Sequence, residues 1–128
     1  MSIVRFNPWW ELDRNLNSSG WIPAADVWET PAAYRIDLEI PAVAAGQVDV
    51  TVEEGILTIS GERQRAERAE DEREHRVERR YGPFSRKFRL PKNADENAIS
   101  ARVRNGVLEV TIEKQSEHQP RRVEVIAA

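Results

Sequence analysis

The sequence predicts an all-β fold, an antiparallel β-sandwich, with a short helical arm before it and an extended tail after it. Three observations carry this. Apolar and polar residues alternate at period two in short runs from Ala24 to Lys114. Gly, Pro and Asn turn signals separate those runs. Seven or eight such segments stand against a single helix-like stretch.

That stretch comes first. Asn7 followed by Pro8 reads as an N-cap and first helical position. Trp9, Leu12 and Leu16 follow at helical spacing, and residues 17–20 end the run. A helix of two to three turns is too short to be stable alone. Trp9, Trp10 and Trp21 give this arm much aromatic surface, which either packs back on its own domain or contacts other subunits or client chains.

The strands begin with "ADVWE". Tyr34, Ile36, Leu38 and Ile40 then alternate with Arg35, Asp37 and Glu39, with Pro31 and Pro41 as punctuation. In "QVDVTVEEGILTISGE" the pair Glu54-Gly55 serves as a two-residue turn, so Val52 faces Leu57, Val50 faces Ile59 and Thr51 faces Thr58. "ISARVRNGVLEVTIEK" repeats the pattern around Asn105-Gly106, the strongest short-range hairpin signal in the chain. In that register Val103 faces Leu108, Ala101 faces Val110 and Ile99 faces Ile112, all on one face. Arg102 meets Glu109 and Ser100 meets Thr111 on the other.

Between these hairpins, residues 62–80 are almost devoid of apolar groups and mix acids with bases. The run reads as a solvated loop or a salt-bridged helix. Its length is unusual inside a compact domain, which is resolved if the part around His75 to Arg79 becomes a strand by pairing with something else. "YGPFSRKFRLP" returns to strand, with Phe84, Phe88, Leu90 and Arg86 sharing a face. Arg86 then either snorkels to water from an edge or forms an ion pair with a loop carboxylate; Glu74 and Glu78 are the nearest by position. The tail is polar until Val123, Val125 and Ile126, a β-prone tip able to add to a free sheet edge.

Composition limits the function. The chain of 128 residues suits one domain with modest tails, and its net charge of −3 offers no basic field for nucleic acid. The absence of cysteine fits a reducing compartment. The start lacks a continuous apolar segment and no run approaches a membrane span, so a cytoplasmic protein is expected. His75 and His118 lie in charged or polar stretches, there is no thiol nucleophile, and the glycines sit singly at turns. No catalytic, metal or cofactor site is expected.

"GILTISGER" (55–63), "ERRYGPFSRKFRLP" (78–91) and "ARVRNGVLEVTIEK" (101–114) closely resemble the motif set of the small heat-shock proteins and their alpha-crystallin domain. "PAADVWET" fits too, as does "FNPWWELD" for the bacterial members. The resemblance implies an immunoglobulin-like sandwich over residues 21–114, an N-terminal arm over 1–20 and a C-terminal extension over 115–128. It implies an ATP-independent holdase, without cofactor, that binds partly unfolded clients and assembles as a homodimer and higher homo-oligomer. In the bacterial type of dimer a strand from the long loop crosses to the partner, which places Glu74, His75, Val77 and Glu78 with Arg86 at the interface. The family's tail motif corresponds to Val123 and Val125, with Val48, Val50, Val52, Ile99, Ala101 and Val103 as groove walls. Trp9, Trp10, Leu12 and Leu16 would form the client-binding arm. Two departures are noted. Each valine is smaller than the commoner isoleucine by a methylene, roughly 0.8 kcal/mol when buried, with Ile126 able to compensate in a shifted register. The arm is also short, which argues against large uniform oligomers and a broad client range. The competing reading is a non-catalytic sandwich adaptor or co-chaperone for one folded partner, which would need neither an aromatic arm nor a detachable tail.

Overall fold

The computed structural model describes residues 20–116 and 122–128; the expected helix with Trp9, Trp10, Leu12 and Leu16 lies outside them. The seven strands are β1 (Ala25–Glu29), β2 (Ala33–Glu39), β3 (Val48–Glu53), β4 (Ile56–Arg63), β5 (Gly82–Arg89), β6 (Ala94–Arg104) and β7 (Val107–Lys114). They form two antiparallel sheets, ordered β1-β2-β7-β6 and β3-β4-β5, the sandwich that the alternation predicts.

Both hairpins take the expected register. Val103 pairs with Leu108, Ala101 with Val110 and Ile99 with Ile112. Val52 pairs with Leu57 and Val50 with Ile59. Each turn needs two residues at positive φ, and these are Glu54 (50°) with Gly55 (78°), and Asn105 (53°) with Gly106 (78°). This is type I′ geometry, whose twist matches the flanking strands.

The core lies between the sheets and takes its largest members from the central strands β2, β4 and β7 and from the edge strand β5: Ile36 and Leu38 of β2, Leu57 and Ile59 of β4, Phe84 and Phe88 of β5, and Leu108, Val110 and Ile112 of β7. The six apolar residues of the β6–β7 hairpin are not equally buried. The β7 members are in the core, whereas Ile99 and Val103 are half-buried and Ala101 is exposed. The reason is position, since β6 is a sheet edge with a strand neighbour on one side only. The β6 strand also begins earlier than the alternation suggests, at Ala94, with a register irregularity between Ala94 and Ile99.

Of the three tryptophans at the start of the chain, Trp21 is described, while Trp9 and Trp10 lie outside the described residues. Trp21 is buried, its indole Nε1 donates to the Gly82 carbonyl at 3.1 Å, and its ring tilts against Phe84 at 5.3 Å. Trp21 and Pro23 thus pack on their own domain, while Ile22 between them is exposed.

Candidate functional site

Each sheet has two edge strands, β1 and β6 in one and β3 and β5 in the other, and the edges β3 and β6 face the same side of the sandwich. Between them lies a groove of about 320 Å³ lined by Val50, Thr51 and Val52 of β3, Leu57 at its floor, and Glu96, Ile99, Ser100 and Ala101 of β6. Val48 and Val103 extend its walls as half-buried residues packed on the core. All six residues expected as groove walls therefore belong to these two edge strands. The groove pairs apolar side chains with unpaired backbone edges, the combination that accepts an added β-strand.

The tail does not occupy it within the subunit. Val123, Val125 and Ile126 are 71%, 91% and 80% exposed. Three apolar side chains within four residues, so exposed, are an unburied surface of the kind that marks a contact.

The charged run of residues 64–81 contains no strand and lies on the surface. Val77, 48% exposed, is the large aliphatic residue within it. Glu74 pairs with Arg65 and lies 3.6 Å from Arg68, and Glu78 lies 3.8 Å from Arg76. Within one subunit neither acid meets Arg86. Instead the Arg86 guanidinium donates to the Pro23 carbonyl and lies 5.2 Å from the Phe88 ring centroid.

Arg63 is a feature that the sequence reading missed. It is the buried charged residue of the sandwich, with Nε donating to the Arg80 carbonyl at 2.8 Å and Nη1 to the Pro41 carbonyl at 3.2 Å. Its guanidinium stacks 4.0 Å above the Trp21 ring. The signal was present: Leu57, Ile59 and Gly61 face inward, and Arg63 continues their period. Its place at the start of a charged run disguised it as one more solvated arginine. Gly61 is equally specific, because a Cβ there would lie 2.5 Å from the Gln47 carbonyl oxygen and 2.8 Å from Phe84.

On the outer face of the four-stranded sheet, Arg102 and Arg104 hold Glu109 at 2.6 and 3.1 Å. The Arg102 hydrogen bond pulls the Glu109 carboxyl below its ordinary range; Arg104 adds to this and desolvation opposes it. Among the described residues no group of three or more His, Cys, Asp or Glu is placed to hold a metal, and no helix is long and apolar enough to cross a membrane.

The sequence profile of the Hsp20/alpha crystallin family matches residues 26–126. The chain is 46% identical over 103 residues to the 17.8 kDa class II heat shock protein of Zea mays, covering 80% of this chain and 63% of that protein. It is 36% identical to small heat shock protein C2 of Rickettsia felis, covering 81% of this chain and 68% of that one. Among solved structures it superposes on a small heat-shock protein from Xylella fastidiosa with a TM-score of 0.72 at 36% identity, over 85% of this chain and all of the other (100%). The hspA protein of Xanthomonas axonopodis gives 0.67 at 42% identity, over 75% and 96% of the two chains.

Proposed function

This chain belongs to the Hsp20/alpha crystallin family, and from that premise we propose that it is an ATP-independent holdase, a cytoplasmic chaperone that binds partly unfolded proteins and suppresses their aggregation. The observation that carries this reading is the apolar groove between β3 and β6 in a chain whose own β-prone tail is exposed. A molecule with both a bare sheet edge and an unburied strand-forming segment is built to assemble and to exchange partners.

In this reading, residues 21–114 form the dimerising domain, residues 1–20 the client-binding arm with Trp9, Trp10, Leu12 and Leu16, and residues 115–128 the linking extension. The part of the loop around His75 to Arg79 crosses to a partner subunit. Its support is the loop's exposure and Val77, an aliphatic side chain left 48% exposed. Glu74, His75, Val77 and Glu78 then lie at the interface beside Arg86. Val123 and Val125 of a neighbouring dimer enter the groove walled by Val48, Val50, Val52, Ile99, Ala101 and Val103. No step requires a nucleotide, since binding is burial of apolar surface.

The test is light scattering from several unrelated aggregating clients, without nucleotide, at equimolar subunit ratios. Suppression across clients is expected. A protein that suppresses none of them, or binds one folded partner stoichiometrically, is not a holdase. Deleting residues 1–20 should weaken protection while preserving the β-sheet circular dichroism signal; undiminished protection would move client binding onto the sandwich.

A further inference from the structure

The groove differs between its two mouths. β3 ends at the Glu54-Gly55 turn, and a Cβ on Gly55 would lie 3.9 Å from Oε1 of Glu96. The end of β3 thus lies beside the beginning of β6, and the two edge strands run in opposite senses along the groove. One mouth carries the exposed side chains of Glu53, Glu54 and Glu96, and Glu96 itself lines the groove. Among the described residues none of these three acids is engaged in an ion pair. Asp95 is turned back to accept the Asn97 N–H at 2.9 Å, and Lys92 in the adjoining hollow is outnumbered by the acids around it. The other mouth is mixed, with Asp49 on β3 and, on β6, Arg102 and Arg104, which are committed to Glu109 on the outer face.

The tail is asymmetric as well. Its apolar motif, Val-x-Val, reads the same in both directions, so burial of the valines does not select one. Arg122, which is exposed, directly precedes Val123. In an extended chain alternate side chains point to opposite sides. With Val123 and Val125 inserted, Arg122 and Glu124 stand at the rim, and Arg122 projects over whichever mouth the tail enters from.

We propose that the tail of a second copy enters the groove in one direction, with Arg122 over the mouth formed by Glu53, Glu54 and Glu96, so that it runs parallel to β6 and antiparallel to β3. The proposal rests on the tail-docking reading and adds its polarity. Complementary charge commonly fixes orientation rather than affinity. Because the rim is exposed, the preference is on the order of 2- to 10-fold and weakens as salt shortens the Debye length.

The chain has no cysteine, so introduced pairs report without background. Ala127→Cys combined with Val48→Cys places a thiol at the mixed mouth, where the proposed direction brings residue 127. Ala127→Cys with Asn97→Cys probes the reverse direction, and both pairs leave Arg122 and the acids intact. On oxidation of the full-length assembly at low salt, inter-chain disulfides should form several-fold more with the Val48→Cys pair, and Glu96→Lys should narrow or invert that ratio. Equal yields, a reversed ratio, or a ratio unmoved by Glu96→Lys overturns the polarity while leaving docking standing. An intra-chain disulfide overturns the second copy as occupant. No disulfide from either pair, with assembly size unchanged by Val123→Asp and Val125→Asp, overturns the docking reading beneath it.

Discussion

Along β5 the sandwich is covered by its own chain, and along β3 and β6 it is not. Residues 21–23 lie on β5, fixed by the Trp21 indole on Gly82, by Arg86 on Pro23, and by Arg63 stacked on Trp21 while donating to Arg80 and Pro41. Every polar contact in that set ends on a backbone carbonyl, so its strength depends little on salt or pH. On the opposite side the valine, isoleucine and alanine of the walls are joined by Thr51, Ser100 and Glu96, and no described segment pairs with either edge. An edge is a hazard when long, flat and apolar. Here one hazard is closed within the molecule and the other is left open, which separates the stability of the subunit from the strength of its associations.

That separation can be broken from either side. The largest effect is expected from Trp21→Ala, which removes a buried indole and the platform of Arg63. It should cost about 3–5 kcal/mol, read as a lower denaturant midpoint of the dissociated subunit, with the groove unaltered. Next comes Val123→Asp combined with Val125→Asp. Excluding two valines from a groove forfeits about 3 kcal/mol or more, over 100-fold in association, so native mass should fall toward the dimer while subunit melting stays unchanged. An unchanged mass would mean that the tail is not what links subunits. Arg63→Met keeps the apolar stem but strands the Pro41 and Arg80 carbonyls. About 1–3 kcal/mol of stability should be lost, together with faster amide exchange at the ends of the charged loop.

The smallest effect is electrostatic. Glu109 titrates below its unfolded-state value of about 4.5, so it stabilises the fold above that pH and the contribution is lost as pH falls through the depressed value. Arg102→Ala should flatten this acid dependence slightly in urea titrations below pH 4.5. A curve identical to that of the parent would show that the outer-face pairs are fully screened.

The same contrast explains what could be read in the sequence. Hairpin registers were legible because Asn105-Gly106 and Glu54-Gly55 fix turn type, and alternation then fixes every pair down to Arg102 opposite Glu109. The groove was legible by analogy with related motifs, since β3 and β6 come together only through sheet order, which no local pattern encodes. Arg63 and Gly61 escaped notice because their demands come from Gln47, Pro41, Trp21 and Phe84, distant in the chain. Arg86 left two options, and the subunit supplies a third partner, a carbonyl, that charge counting does not anticipate. Ala101 shows the opposite error, because alternation assigns a face but not how much of that face the other sheet covers.

The pairing of Arg63 with Gly82 across β4 and β5, locked by the side chain of Arg63 on Arg80, means that the charged loop departs and returns at nearly one point. Such an excursion is a lariat on the sandwich. Its closure entropy grows only logarithmically with length, about 0.6 kcal/mol per doubling, and the sheets borrow nothing from its interior. A change of length or composition there should cost the core little. Any contact made by such a loop can therefore be retuned while the framework that presents it keeps its shape.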